Sequence, residues 1–170
     1  MTNDETQIAT FFAKYDAPAA KLGKAVRARL RDRLPGLREL VYVYERRNSL
    51  VLSYSPTDAG ADAVCAVALD PRGVKLYVAG GERLTKSDPS RLLKGRGKAV
   101  RHVVLTSVAD FDRAEVEALI AAAVELTKVR LDPSAKGSVV IKAGEQKARA
   151  LRAKKGVRAT ARPRTPKARR

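Results

Sequence analysis

Beyond Ile141 the chain has only two large aliphatic side chains, Leu151 and Val157, and this confines any hydrophobic core to the residues that precede it. Residues 142–170 bury too little apolar surface to offset the conformational entropy of ordering them, and are expected to form a disordered tail. Residues 1–141 then make a single domain, a size that suits one core and is too small for two. Within the tail, Gln146 to Lys155 is rich in Ala, Lys and Arg and has helix propensity once its charges are neutralised. Pro163 and Pro166 exclude helix beyond about Thr160.

Charge divides at the same boundary. The 170 residues hold 35 Lys and Arg against 18 Asp and Glu; 12 of the basic residues lie in the last 29 positions, where Glu145 is the one acid, a net +11. The first 141 residues keep 23 basic and 17 acidic side chains, a net +6 spread over a domain. Lys147, Arg149, Arg152, Lys154, Lys155, Arg158, Arg162, Arg164, Lys167, Arg169 and Arg170, on an Ala-spaced and Pro-broken chain, can neutralise phosphates one by one and release counterions. Non-specific nucleic-acid binding through the tail is therefore the expected partnership, and a solubilising extension is the plainer alternative. In composition the tail resembles the Lys/Arg/Ala/Pro extensions of bacterial histone-like proteins, with no residue correspondence. It carries no aromatic or bulky apolar anchor, so a membrane partner is not expected.

Several classes are set aside by simple counts. No stretch approaches the roughly 18 apolar residues of a membrane span, and Met1 to Glu5 is polar and acidic where a signal peptide is basic and then apolar, so a cytoplasmic location is expected. Cys65 is the only cysteine, which excludes an intramolecular disulfide and a cysteine-based metal cluster.

The spacing of apolar residues predicts an α+β fold. Ile8 to Tyr15 reads as a short helix. Asp16 before Pro18 is a helix-start signal, and Leu22, Val26, Leu30 and Leu34 then form one apolar stripe with Lys21, Lys24 and Arg31 opposite, stopped by Pro35-Gly36. Leu40 to Tyr44 and Leu50 to Tyr54 form a hairpin around Glu45 to Ser49. Ala63 to Leu69 and Val74 to Val78 form a second around Asp70-Pro71-Arg72-Gly73. Val100 to Thr106 is a fifth strand. Asp112-Arg113-Ala114-Glu115 reads as a capping box opening a helix whose buried face is Val116, Leu119, Ile120 and Ala123. The expectation is an antiparallel sheet of about five strands with N-terminal and C-terminal helices packed on one face.

Leu34-Pro35-Gly36, Tyr42 and Tyr44, Ser53-Tyr54-Ser55-Pro56-Thr57, and above all Asp88-Pro89-Ser90-Arg91-Leu92-Leu93-Lys94-Gly95-Arg96-Gly97-Lys98 with Arg101 and Leu105, resemble the YdhG-like family of uncharacterised domains over roughly residues 7–131. The resemblance implies an α+β fold in the superfamily that also groups YjbR-like and frataxin-like domains. Many members carry Gly-Met-Pro after the tyrosine strand; this chain has Glu45-Arg46-Arg47, so no ligand of that loop carries over.

Residues capable of chemistry are few. His102 is the only histidine and sits in a strand, so a structural or surface role is expected of it and no histidine-pair metal site is possible. Cys65 lies in an apolar strand without a readable activating base, as a small buried hydrophobe would. Ser53 and Ser55 lack the strand–turn–helix context of a nucleophile, and no cofactor is expected. Tyr42, Tyr44, Tyr54 and Tyr77 alternate along strands; sheet packing is the first reading, a stacking platform for bases the second. Iron handling, suggested by the frataxin-like side of the superfamily, needs clustered carboxylates. Asp4 and Glu5 are expected to stand alone, Asp32 lies between Arg31 and Arg33, and Glu115 and Glu117 belong to a helix start. Lys94, Gly95, Arg96, Gly97, Lys98 and Arg101 form the best localised anion-binding candidate, because paired glycines admit close approach and four cations surround them; a tight solvated loop is the plainer alternative. The whole reads as a non-enzymatic binding module, with small-anion or iron handling as the alternative.

If the tail is as independent of the core as its composition implies, removing residues 142–170 leaves the thermal melting temperature almost unchanged. A fall of many degrees would show that the tail packs on the domain.

Overall fold

In the computed structural model, which describes residues 3–142, the Asp16 carboxylate accepts from the Ala19 N–H at 3.3 Å and a proline occupies the first turn, so helix α2 (Ala17–Arg33) begins at its sequence signal. Val26 and Leu30 are fully buried, Leu34 closes the stripe, and the chain turns at Pro35-Gly36. The tail side chains from Lys147 to Arg170, and with them the expected disorder, lie outside the described residues.

Helix α1 spans Asn3–Phe12, earlier than the Ile8 to Tyr15 expected. Its first turn holds Asp4 and Glu5, where carboxylates favour the positive end of the helix dipole. Apolar periodicity alone could not see this turn, because its side chains are polar.

Strand β1 (Arg38–Tyr44) and β2 (Ser49–Ser55) form the first hairpin, connected by a single 3-10 turn over Glu45–Arg47. In the second, β3 (Cys65–Asp70) and β4 (Gly73–Ala79) meet at Pro71-Arg72, and Asp70 Oδ1 accepts from the Arg72 N–H at 2.7 Å. β5 is Val100–Leu105, followed by α3 (Val108–Phe111) and α4 (Ala114–Thr127). One strand was not anticipated: β6 (Val139–Ile141) returns beside β1 and runs parallel to it. The sheet is therefore six-stranded and mixed, in the order β5-β4-β3-β2-β1-β6, in place of about five antiparallel strands. Three residues bordering a basic tail are too short to announce a strand; pairing with the β1 edge makes them one.

The capping box also moves. Asp112 does not cap α4, whose preceding residue Arg113 makes no capping bond; its carboxylate instead takes Arg29 at 2.8 Å and Arg33 at 3.5 Å from α2. The reciprocal box belongs to α3, where Ser107 Oγ accepts from the Asp110 N–H at 3.2 Å and the Asp110 carboxylate accepts from the Ser107 N–H at 2.9 Å. Two overlapping polar sets compete here, and the arginines of α2 decide which carboxylate is free to cap.

The helices cover one sheet face. Val41, Leu50, Leu52, Val67, Leu69, Leu76 and Val78 alternate toward that face and meet Val26, Leu30, Val116 and Leu119, all buried. Each such side chain contributes about 1.5–3 kcal/mol through burial. Among them sits Glu39, 2% exposed. Arg27 of α2 donates to both its carboxylate oxygens at 2.8 Å, then turns its remaining N–H groups to Glu5 of α1 at 2.7 and 2.8 Å. Arg31 also binds Glu5 at 2.8 Å, and Tyr54 Oη donates to Glu39 at 3.0 Å. Glu5, expected to stand alone, is thus an ion-pair member, and Arg27, chiefly through its hydrogen bonds, holds its carboxyl down at about 2. Burial and the Glu39 charge push the Tyr54 phenol well above its ordinary value.

Because removing Arg27 strands a buried carboxylate, Arg27→Ala is expected to cost about 3–5 kcal/mol in urea denaturation. Arg113→Ala, which breaks the exposed pair with Glu115 at 2.9 Å, is expected to leave the denaturation midpoint almost unchanged, because solvent screens an exposed pair. Equal losses would remove the network from its place as the tie between helices and sheet.

Candidate functional site

Strand alternation sends the other half of the side chains to the sheet face opposite the helices. The register puts His102, Tyr77, Ala66, Ser53 and Leu40 in one row across five strands, and Val104, Lys75, Ala68, Val51 and Tyr42 in the next. Among the described residues, the large hydrophobics exposed by more than a third are Tyr44 at 37%, Val100 at 46% and Val104 at 47%, and all three belong to this face.

Small residues at the centre and larger ones on either side leave a groove of about 720 Å³. Ala66, Ala68 and Val51 form its floor, Tyr44 lies on one side, and Tyr77 with Lys75 on the other. Both hairpin connections reach the same end of an antiparallel sheet, which brings Arg47 and Arg72 to the mouth. Asp70 is engaged there by Lys75 Nζ at 2.7 Å; burial pushes its carboxyl up, yet Lys75 and the Arg72 N–H outweigh this and hold it below its ordinary value. Arg47 and Arg72 form no ion pair among the described residues. The opposite end of this face is closed by residues 56–64: Ser55 Oγ donates to the Ala59 carbonyl at 2.9 Å, and the Tyr42 hydroxyl packs at Gly60. His102 tilts against Tyr77 with ring centroids 5.3 Å apart, and burial together with the Lys75 charge lowers its pKa, which favours the neutral imidazole.

The Lys94 to Arg101 candidate forms one loop at the β5 edge. Lys94 and His102 close it with reciprocal backbone bonds of 2.6 and 3.1 Å. Gly97 has a reason within the loop, since a Cβ there would meet the Val100 carbonyl, and Gly95 takes φ +94°. Arg101 donates to the Gly97 carbonyl at 3.2 Å and reaches Thr85 Oγ1 at 3.4 Å, while Lys94 Nζ donates to the Arg91 carbonyl at 3.3 Å. The carbonyls of Lys98 and Ala99 accept from Glu82 and Gly80 at 3.1 and 2.9 Å. Arg96 and Lys98 remain exposed. The Asp-Pro segment ahead of the loop does structural work: the buried Asp88 carboxylate accepts from the Leu92 and Leu93 N–H groups at 2.8 and 2.9 Å.

Cys65 is buried on the helix side, where desolvation pushes its thiol up to about 12, so it is no nucleophile at neutral pH. Among the described residues no three His, Cys, Asp or Glu side chains gather as a metal-binding group, and no helix is long and apolar enough to cross a membrane. Tyr54 separates from the other strand tyrosines, facing the core, while Tyr42, Tyr44 and Tyr77 share the open face. Arg47, Arg72 and Lys75 were not singled out from sequence. The available signal was the outward Ala66 and Ala68 in a strand whose inward positions are large.

No family model matches the chain, nor does any curated protein or solved structure.

For the loop, phosphate or a nucleotide at a hundredfold excess over its Kd is expected to stabilise the protein by about 2.7 kcal/mol, read as a rise in melting temperature. Arg96→Ala combined with Lys98→Ala is expected to abolish the rise. Equal stabilisation of wild type and double variant rules the loop out as an anion site.

Proposed function

We propose that the chain is a non-enzymatic nucleic-acid-binding module, in which residues 142–170 neutralise phosphates without regard to base sequence and the folded domain adds a second, weaker contact. The observation that carries this reading is the charge partition: 12 basic residues and one acid in the last 29 positions, against 23 and 17 in the 141 before them. Electrostatic attraction of this kind supplies nearly all of non-specific affinity.

The domain's open face supports the same reading. Lys142 N–H donates to the Val41 carbonyl at 2.8 Å, so the first residue of the basic segment is held beside β1, one residue from Tyr42. A polyanion held by the tail is thereby kept at high effective concentration beside the face that carries Tyr44, Tyr77 and the cations of the groove. The titratable groups buried in the core, Glu39, Tyr54 and Cys65, are engaged in packing and pairing, which favours binding over acid–base chemistry.

If about six tail charges contact duplex phosphates at once, log K falls with log salt at a slope near −5. Fluorescence anisotropy with two unrelated duplexes at several salt concentrations is expected to give this slope for the full chain and a flatter one for residues 1–141. Salt-insensitive binding, strong preference for one duplex, or undiminished affinity after truncation would each sink the reading.

A further inference from the structure

We infer that the groove across the open sheet face holds a short single-stranded segment of nucleic acid, with unpaired bases stacked on Tyr44 and Tyr77 and phosphates directed to Arg47 and Arg72. This rests on the nucleic-acid reading above and names the form of nucleic acid that the folded domain selects.

Three independent features converge on this occupant. The first is apolar exposure. Tyr44, Val100 and Val104 all lie on one face, and 720 Å³ of open volume lies over Ala66 and Ala68. The second is spacing. β1 and β4 are three strand intervals apart, or about 14 Å, which gives room for more than one nucleotide between the Tyr44 and Tyr77 sides. The third is charge. Arg47 and Arg72 stand at the mouth with no carboxylate within ion-pair distance among the described residues, Arg72 feeling the Asp70 charge only at longer range, whereas Lys75, deeper in, is bonded to Asp70. Apolar rings flank the floor while cations outside any ion pair occupy one rim, an arrangement that complements a chain whose bases are flat and apolar and whose backbone is anionic.

A duplex does not satisfy this surface. Its bases are stacked on one another, so only its phosphates could reach the face, and Tyr44 and Tyr77 would gain nothing. An apolar peptide would leave both arginines unmatched. An acidic small molecule would match the arginines and leave most of the trough empty. A single strand engages both the rings and the cations, and because every base has a π-face the contact carries little sequence preference.

The test uses the full chain, oligothymidylate, and the same strand annealed to oligoadenylate. Replacing Tyr44 and Tyr77 together by leucine keeps apolar bulk and removes the rings. Ala68→Leu fills the floor from a different strand. Base–aromatic stacking contributes about 1–3 kcal/mol per base, so each variant is expected to lower single-strand affinity by about tenfold or more. Duplex affinity, its salt slope and the melting temperature stay as in the wild type. Should one variant be destabilised, the other decides. Unchanged single-strand affinity in a folded variant overturns the groove proposal and leaves the tail reading standing. An equal fall for single strand and duplex also overturns it, because the groove then contributes charge and not stacking. Absence of binding to either nucleic acid by the wild-type chain overturns both readings together.

Discussion

The arrangement of helices on the sheet depends on the neutralisation of one carboxylate. Glu39 lies in β1 under α2, 2% exposed, and an unpaired charge there would cost several kcal/mol. Arg27 meets it with two hydrogen bonds and carries the connection on to Glu5, so that α1, α2 and β1 are fixed to one another by a single guanidinium. Guanidinium geometry suits this role because its planar fork binds two carboxylates at once. Burial disfavours the charged form of Arg27, but the bonds from Glu39 and Glu5 prevail and raise its pKa. Tyr54 adds a donor to Glu39 from β2 at 3.0 Å. Hydrophobic burial supplies most of the stability, yet it is indifferent to which turn of α2 lies over which residue of β1. The ion pairs are not.

Once both N-terminal helices and α4 commit to that side, the opposite sheet face is left, among the described residues, to loops. Its character then follows from what each strand places outward. β3 offers Ala66 and Ala68 and β2 offers Val51, while β4 offers Lys75 and Tyr77 and β1 offers Tyr42 and Tyr44, so the two central strands lie low and the strands on either side of them rise. The same antiparallel geometry sends both hairpin turns, with Arg47 and Arg72, to one end. A groove with aromatic sides and a basic mouth is thus a product of sheet topology acting on residues separated by up to 33 positions, from Tyr44 to Tyr77.

Much of the fold was legible because it is encoded locally. The Asp16-Pro18 start, the stripe from Leu22 to Leu34, partly buried at Leu22 and buried beyond it, the two hairpins, and the buried set Val116, Leu119, Ile120 and Ala123 are patterns within a few residues, and each appears in the structure. What misled was competition between local signals settled at long range. Asp112 has the spacing of a cap, but Arg29 and Arg33 claim it. Val139 to Ile141 has the composition of a strand at a length too short to stand alone, and only the free edge of β1 makes it one. Glu5 looked solitary because its partners lie 22 and 26 residues away. Of the candidate site, the Lys94 to Arg101 loop could be found as a run of cations and glycines. The groove could not, since its five cationic and aromatic contributors at the sides and mouth come from two strands and two hairpin connections.

The sequence by itself set the expectation of where the core ends, because Leu151 and Val157 are the only large aliphatic side chains after Ile141, and determined where positive charge accumulates, because 12 of the 35 basic residues follow that point. It also determined most helices and strands, since hydrophobic period and turn chemistry act over neighbouring residues. Tertiary structure alone decided which sheet face is covered, which carboxylate caps a helix and which is paired, and which outward side chains share a groove. Those outcomes depend on distances between residues far apart in the chain, and a linear pattern carries no information about such distances until burial of one face forces the strands into register.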